Sequence, residues 1–385
     1  MQHFYENNLL ENSNKLLNGS APLRGLRTNI PLNSKITLLS QRYSIGISVK
    51  TNSKYYTNQN TTTKSFNNNV WSYLMLFLIA LALCPFQLKA QTYSGPIVIT
   101  KGGTYTGNWE SNDSEVSAVE IKTSEPLIIL NSNIRGAGYL IKSWYNSANL
   151  VVRNTSGYGL PPTPYQNYKK PRRFVTVNNF KNLVIENCYL EQTAGIYAGT
   201  MYEGNGTPNE TIKIRYNIAK NIDSRVYGGN EDHSQFVQFN FRGNLPNAEI
   251  AWNQIINSPD LSRVEDNISI HNSKGTASSP IKIHDNYIQG AYPIPSTSIS
   301  YSGGGILSDG DGDASSCTAF VEAYNNQLVN LGNYSMGIAS GNNIHYHNNR
   351  AVNSATFEDG SRFKMYTSGF WSKDYYNPSC VVEIL

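Results

Sequence analysis

The sequence predicts an all-β protein whose main domain, residues 91–385, is a parallel β-helix: a solenoid of short strands stacked coil on coil. Three observations carry that prediction. From Gln91 onward, apolar residues almost never recur at i, i+3, i+4 and i+7 between recognisable caps, so helical periodicity is lacking. Short β-branched runs punctuated by Asn and Gly take its place. And one phrase, apolar-x-apolar-x-x-Asn, returns through the whole region, the mark of a repeat architecture.

The phrase is plainest in SSPIKIHDNYIQGAY, Ser278 to Tyr292. Its copies are Ile128-x-Leu130-x-x-Asn133, Ile212-x-Ile214-x-x-Asn217, Ala248-x-Ile250-x-x-Asn253, Ile281-x-Ile283-x-x-Asn286, Val321-x-Ala323-x-x-Asn326 and Ile344-x-Tyr346-x-x-Asn349. Looser copies end at Asn154 and Asn187. Successive Asn residues are 21, 33, 30, 36, 33, 40 and 23 apart, and the shortest gaps suit one turn of a β-helix. Residues two apart share a strand face, so Ile281 and Ile283 are expected inside, with Lys282 and His284 toward solvent. Asn tolerates the left-handed backbone, so Asn286 is expected to make the corner; stacked Asn amides can also hydrogen-bond as a ladder. An antiparallel sandwich also shows short alternating strands, but it gives no reason for Asn at one fixed offset.

The first 90 residues are a different kind of sequence. Residues 1–69 are rich in Asn, Ser, Thr and Lys without a sustained period; they read as a disordered leader or, preferably, as sequence upstream of the true start. Residues 70–90 read as a signal peptide: VWSYLMLFLIALALCPF, then Gln87-Leu88-Lys89-Ala90 with a cut before Gln91. Its apolar core is shorter than the roughly 20 residues of a spanning helix, so no transmembrane anchor is expected. A secreted or cell-surface location follows, the periplasm included. The whole chain holds 31 Lys/Arg and 27 Asp/Glu; its first 90 residues hold nine and two, leaving 22 and 25, a net −3. The basic balance therefore belongs to the leader and argues for no nucleic-acid partner. Cys188, Cys317 and Cys380 remain after cleavage, with no metal spacing and at most one disulfide.

The segments PLIILNSNIRGAGYLIKS, EIAWNQIIN, RVEDNISIHNSKGTASSPIKIHDNYIQGAY, SGGGILSDGDG and AYNNQLVN resemble bacterial exported β-helix repeat proteins of the pectate-lyase-like superfamily. The resemblance spans about Gln91 to Ser372 and implies a right-handed parallel β-helix. Such proteins tend to continue for further coils, so the chain is expected to lack its C-terminal ones. The resemblance also implies a polysaccharide partner lying along one sheet, and for lyases a Ca²⁺-bridged uronate with a Lys or Arg as base. The Gly-His-Gly and paired-Asp phrases of polygalacturonase-like members are missing, as is the Arg-x-Pro-x-x-Arg phrase of pectate lyases.

Three polar clusters are the candidate sites. In the first, Glu265 and Asp266 are expected to bind substrate, with Lys274, Arg263 or His271 as the catalytic acid/base; a cationic base there needs a depressed pKa. In the second, Asp232 and His233 precede the alternating FVQFNFR and are expected to bind sugar hydroxyls. In the third, Asp309, Asp311 and Asp313 on a Gly-rich loop are metal candidates for Ca²⁺, although the EF-hand pattern fails at Ala314 and Phe320. Each has a bland counterpart, a solvated loop between coils. Tyr145, Tyr158, Tyr165, Tyr168, Trp252, Tyr292 and Tyr301 are candidates for sugar stacking. Two functions stay open: a polysaccharide-binding and cleaving enzyme, lyase-like or a glycoside hydrolase, and a non-catalytic glycan-binding rod at the cell surface. A converging site would bring Asp232, Glu265, Asp266 and Lys274 to one face.

Overall fold

A computed structural model describes residues 91–144, 147–160, 169–225, 233–311 and 316–375. The leader, the signal peptide and the chain beyond residue 375, where the expected loss of coils would fall, lie outside the described residues. No helix occurs among the described residues, so none is long and apolar enough to cross a membrane.

The strands fall into three parallel ladders that the chain visits in turn. The first sheet contains β1 (Ile97–Ile99), β4 (Val119–Ile121), β7 (Ile141–Ser143), the opening of β10 (Val175–Glu186), β12 (Ile196–Tyr202) and β15 (Val237–Arg242). It continues through β18 (Asp266–His271), β21 (Gly304–Asp309), β24 (Met336–Ile338) and β27 (Phe370–Ser372). The second sheet holds β2 (Gly103–Tyr105), β5 (Leu127–Leu130), β8 (Ala148–Arg153), the end of β10, β13 (Ile212–Arg215) and β16 (Glu249–Ala251). It ends with β19 (Ile281–His284), β22 (Ala319–Tyr324) and β25 (Asn342–His347). The third holds β3 (Asn108–Ser111), β6 (Asn133–Gly136), β9 (Ser156–Gly159), β11 (Tyr189–Glu191) and β14 (Ile218–Lys220), then β17 (Gln254–Ile256), β20 (Tyr287–Ala291), β23 (Gln327–Leu331) and β26 (Arg350–Val352). This is a parallel β-helix, as the repeat phrase predicts.

Stacked apolar residues fill the interior. Ile129, Val152, Ile185, Ile214, Ile250, Ile283 and Ala323 form one column by register, all buried. Each fully buried Ile contributes about 1.5–3 kcal/mol, which a single coil cannot gain alone.

The repeat phrase needs two corrections. In β5 it starts one residue earlier than expected: Leu127 and Ile129 are buried, whereas Ile128 and Leu130 face outward. And Asn286 does not make the corner. The left-handed residue is the one before it: Asp285 at φ 52°, and likewise Tyr216, Trp252, Asn325 and Asn348 before their Asn residues. In the earlier coils Asn131, Asn154 and Asn187 take that left-handed place, so the residues aligned with Asn286 are Ser132, Thr155 and Cys188. The Asn residues form the ladder instead. Each of Asn217, Asn253, Asn286 and Asn326 donates its backbone N–H and its side-chain Nδ2 to the Oδ1 of the next, at 2.9–3.1 Å. Nδ2 also donates back to a carbonyl of the preceding coil, as Asn286 does to Ile250 at 2.9 Å. An interior corner leaves backbone groups without strand partners, and the amide supplies both a donor and an acceptor there.

Candidate functional site

The acidic cluster sits where the chain enters β18. The Glu265 backbone is tied on both sides, its N–H donating to Ser234 (2.9 Å) and its carbonyl accepting from Gly304 (2.7 Å). Its carboxylate accepts from Gln235 Nε2 at 2.8 Å and pairs with His233 Nδ1 at 2.8 Å. The His233 side chain is 76% exposed, so this end of the cluster is open to solvent. His233 and Glu265, read separately in the sequence, are thus brought together.

Asp266 is only 3% exposed. The Tyr334 hydroxyl, two coils away, donates to its Oδ1. This reach depends on the residue between them. Asp266 registers with Gly304, and a Cβ on Gly304 would lie 2.5 Å from Tyr334 Cε2. Burial pushes the Asp266 carboxyl well above its ordinary value, and the Glu265 and Asp309 charges push the same way; Tyr334 and His233 oppose them. Burial likewise raises the Tyr334 hydroxyl, aided by the Asp266 charge. Two sequence neighbours therefore hold opposite roles: Asp266 favours keeping its proton, while Glu265 is reachable and hydrogen-bonded as an acceptor.

The cationic candidates are engaged with the backbone, and Lys274 lies apart from the pair. Arg263 Nη1 donates to the Val264 carbonyl at 2.7 Å, and its guanidinium lies 5.0 Å from the Tyr301 ring centroid. The Tyr301 hydroxyl donates to the same carbonyl at 2.7 Å. Lys274 lies past the far end of β18, where its backbone bridges Asn244 and Ala319. The strand alone separates its ends by about 16 Å at ~3.3 Å per residue, so Lys274 does not converge with Glu265 and Asp266. His271 sits at that far end, opposite Asp309, with Nδ1 3.7 Å from Oδ2.

Asp309 also caps its own loop, its Oδ1 accepting from the Gly310 N–H at 2.8 Å. Both carboxylate oxygens of Asp311 are engaged, one by Asn272 Nδ2 (3.0 Å) and the other by Ser316 Oγ (2.9 Å). Asp232 and Asp313 lie outside the described residues. Asp309 and Asp311 join no group of three side-chain ligands among the described residues.

The outer face of the second sheet carries a ribbon that the misaligned phrase concealed. Glu186 accepts from Arg153 (2.8 Å) and from Arg215, and Arg215 reaches Glu249 at 3.0 Å. Burial would raise the Glu186 pKa, but hydrogen bonds from Arg215 and then Arg153 outweigh it, and the net shift is downward. Next comes His284, which is buried rather than solvent-facing. It contacts Glu249 at 3.1 Å and Asp285 at 2.8 Å, with the Tyr324 ring stacked on it at 4.8 Å. Aligned on the ladder residue, these side chains occupy one column: Arg153, Glu186, Arg215, Ala251, His284, Tyr324 and His347.

The aromatic candidates are mostly occupied. Trp252 stacks on Tyr216 at 5.0 Å and 7°, which removes one ring face from sugar stacking, and His284 meets it edge-on. Tyr292 is buried against Phe357 and Phe363, and Tyr158 packs on Tyr189. Tyr145, Tyr165 and Tyr168 lie outside the described residues. Cys188 is free and buried; burial pushes its thiol up to about 12, which leaves no thiolate for nucleophilic work. Cys317 is disulfide-bonded to a partner outside the described residues.

Compared with known proteins, the chain matches no family model, no curated protein and no solved structure.

Proposed function

We propose that the protein binds a polysaccharide along the outer face of the first sheet and hydrolyses it at Glu265 and Asp266. The supporting observation is the pair itself: adjacent carboxyls in opposite environments, one buried with its pKa pushed up and one accepting from His233 and Gln235. Glycoside hydrolysis requires that division between an acid and a base. Elimination from a uronate asks instead for a Lys or Arg as base at the carboxylates; Lys274 lies past the far end of β18, and Arg263 is engaged by the Val264 carbonyl. A uronate chain would also set its charge against Glu265 and Asp309, so it calls for Ca²⁺ as a bridge; a neutral glycan does not. Such substrates lie outside the cell, in keeping with the export signal read at residues 70–90.

The test is incubation of folded protein with neutral and uronate polysaccharides, with and without Ca²⁺. Release of reducing ends and ultraviolet absorbance of unsaturated products are followed together. Hydrolysis predicts reducing ends without unsaturation, lost in Glu265→Gln and in Asp266→Asn. Turnover on none of the substrates removes the enzymatic reading, and unsaturated product replaces it with a lyase.

A second reading, a non-catalytic glycan-binding rod, is favoured by the burial of Asp266, which is only 3% exposed and accepts from the Tyr334 hydroxyl. Glycan-array binding that survives the Glu265→Gln, Asp266→Asn double substitution, with no turnover in the wild type, selects it.

A further inference from the structure

We infer that Glu322, His345 and His347 form a binding site for a divalent transition-metal ion of the zinc class. Glu322 on β22 is the register partner of His345 on β25, and Tyr324 is the partner of His347. Residues two apart on a strand share a face, so both imidazoles project on the side that carries Glu322. One ligand atom from each of the three residues lies within 4.8 Å of the others. A tetrahedral zinc ion with ~2.0–2.2 Å bonds holds its ligands about 3.3–3.5 Å apart, so a small rotation of the exposed His345 closes the set.

The surroundings pre-orient two of the ligands. His347 Nε2 already lies 3.1 Å from Glu322 Oε1, so an ion replaces the proton those atoms share. The Tyr324 ring stacks on His347 at 5.3 Å and 11°, fixing the imidazole plane. His345 stacks on His347 at 4.4 Å and 30°, and its ring nitrogens have no hydrogen-bond partner among the described residues. Two imidazoles and one carboxylate suit zinc, copper or nickel and are too soft for calcium or magnesium. Three protein ligands leave the fourth position to water. The site joins β25 to β22, and β25 has no strand partner on its other edge among the described residues. An ion bound there clips the last described strand of the second sheet to the coil beneath it.

The experiment is calorimetric titration of tag-free, metal-stripped full-length protein with Zn²⁺, paired with visible spectroscopy of Co²⁺ binding and thermal unfolding. The expected result is one saturable Zn²⁺ per chain, a tetrahedral Co²⁺ spectrum and a raised unfolding midpoint, since a ligand that binds only the folded state stabilises it. Ca²⁺ gives none of these. His345→Ala, a change at an exposed position that circular dichroism will show to be folded, weakens Zn²⁺ at least tenfold, as does Glu322→Gln. No saturable Zn²⁺ binding, or binding that stays within twofold of wild type in both His345→Ala and His347→Ala, overturns the inference.

Discussion

Replacing Asn286 with Ala tests whether the ladder, rather than the corner, is what Asn does. Its amide takes part in four hydrogen bonds: Nδ2 donates to Ile250 O and Asn326 Oδ1, and Oδ1 accepts from the N–H and Nδ2 of Asn253, all at 2.9–3.0 Å. Two of the partners lose little. Asn326 Oδ1 keeps the Asn286 N–H, and Asn253 Nδ2 keeps Ile214 O. The Ile250 carbonyl also keeps its ladder donor, the His284 N–H of the β16–β19 pairing, so the Asn253 N–H alone is left unpaired in the interior and the change costs about 1–3 kcal/mol. That is a readable fraction of the ~5–15 kcal/mol that stabilises an ordinary domain. The control is Asn325→Gly. Asn325 is exposed at φ 55°, which Gly adopts without strain, so the change stays within about 0.5 kcal/mol. Urea unfolding followed by tryptophan fluorescence measures both, and amide exchange at Asn253 reports the local opening. Equal midpoints for Asn286→Ala and Asn325→Gly would refute the ladder account and restore the corner as the reason for Asn.

Three further outcomes are expected. Asp223→Ala removes the partner of Arg172 from a pair whose side chains are 0% and 1% exposed, 2.8 Å apart, leaving a buried charge uncompensated. The loss is about 3–5 kcal/mol, read in the same urea assay, and a loss under about 1 kcal/mol would show that water or the Leu160 carbonyl relieves it. Asp266 has a raised folded pKa, so its contribution to stability is full below the unfolded value of about 3.9 and falls as pH climbs toward the folded value. Wild type therefore loses stability over that range, and Asp266→Asn shows a flatter dependence in unfolding midpoints taken from about pH 4 upward; parallel curves would refute it. Gly304→Ala drives a Cβ against Tyr334 and separates its hydroxyl from Asp266; because that hydrogen bond holds the Asp266 pKa down against burial, its loss steepens the pH slope, and Tyr334→Phe should do the same.

The architecture was legible because its cause is local. A strand face repeats every two residues, and a coil closes only where the backbone turns, so IKIHDN and its copies announce the solenoid. The register of the early copies was misread for an equally local reason. Asn is favoured both at the left-handed position and at the ladder position, so Asn154 and Asn187 mimic Asn286 while standing one place earlier, and Asn133 while standing one place later. In the candidate site, Glu265 and Asp266 were visible as a polar pair, but their opposite environments were not. The difference comes from Tyr334, 68 residues on, and from the missing side chain at Gly304. Lys274 is near Glu265 in sequence, yet an extended strand carries it away.

By itself, then, the sequence determined the repeat and the inward columns of the later coils, because both follow from backbone geometry within a few residues; the corner fell one residue before the Asn to which it was assigned. Only the stacking of coils decided the rest. It set which charges meet across strands, from Arg153 through Glu186 and Arg215 to Glu249, and it buried His284 on an outer face. It also placed Glu322 beside His345 and His347. Those neighbours are tens of residues apart along the chain, and the loop lengths between coils, which no local rule fixes, decide who stands above whom.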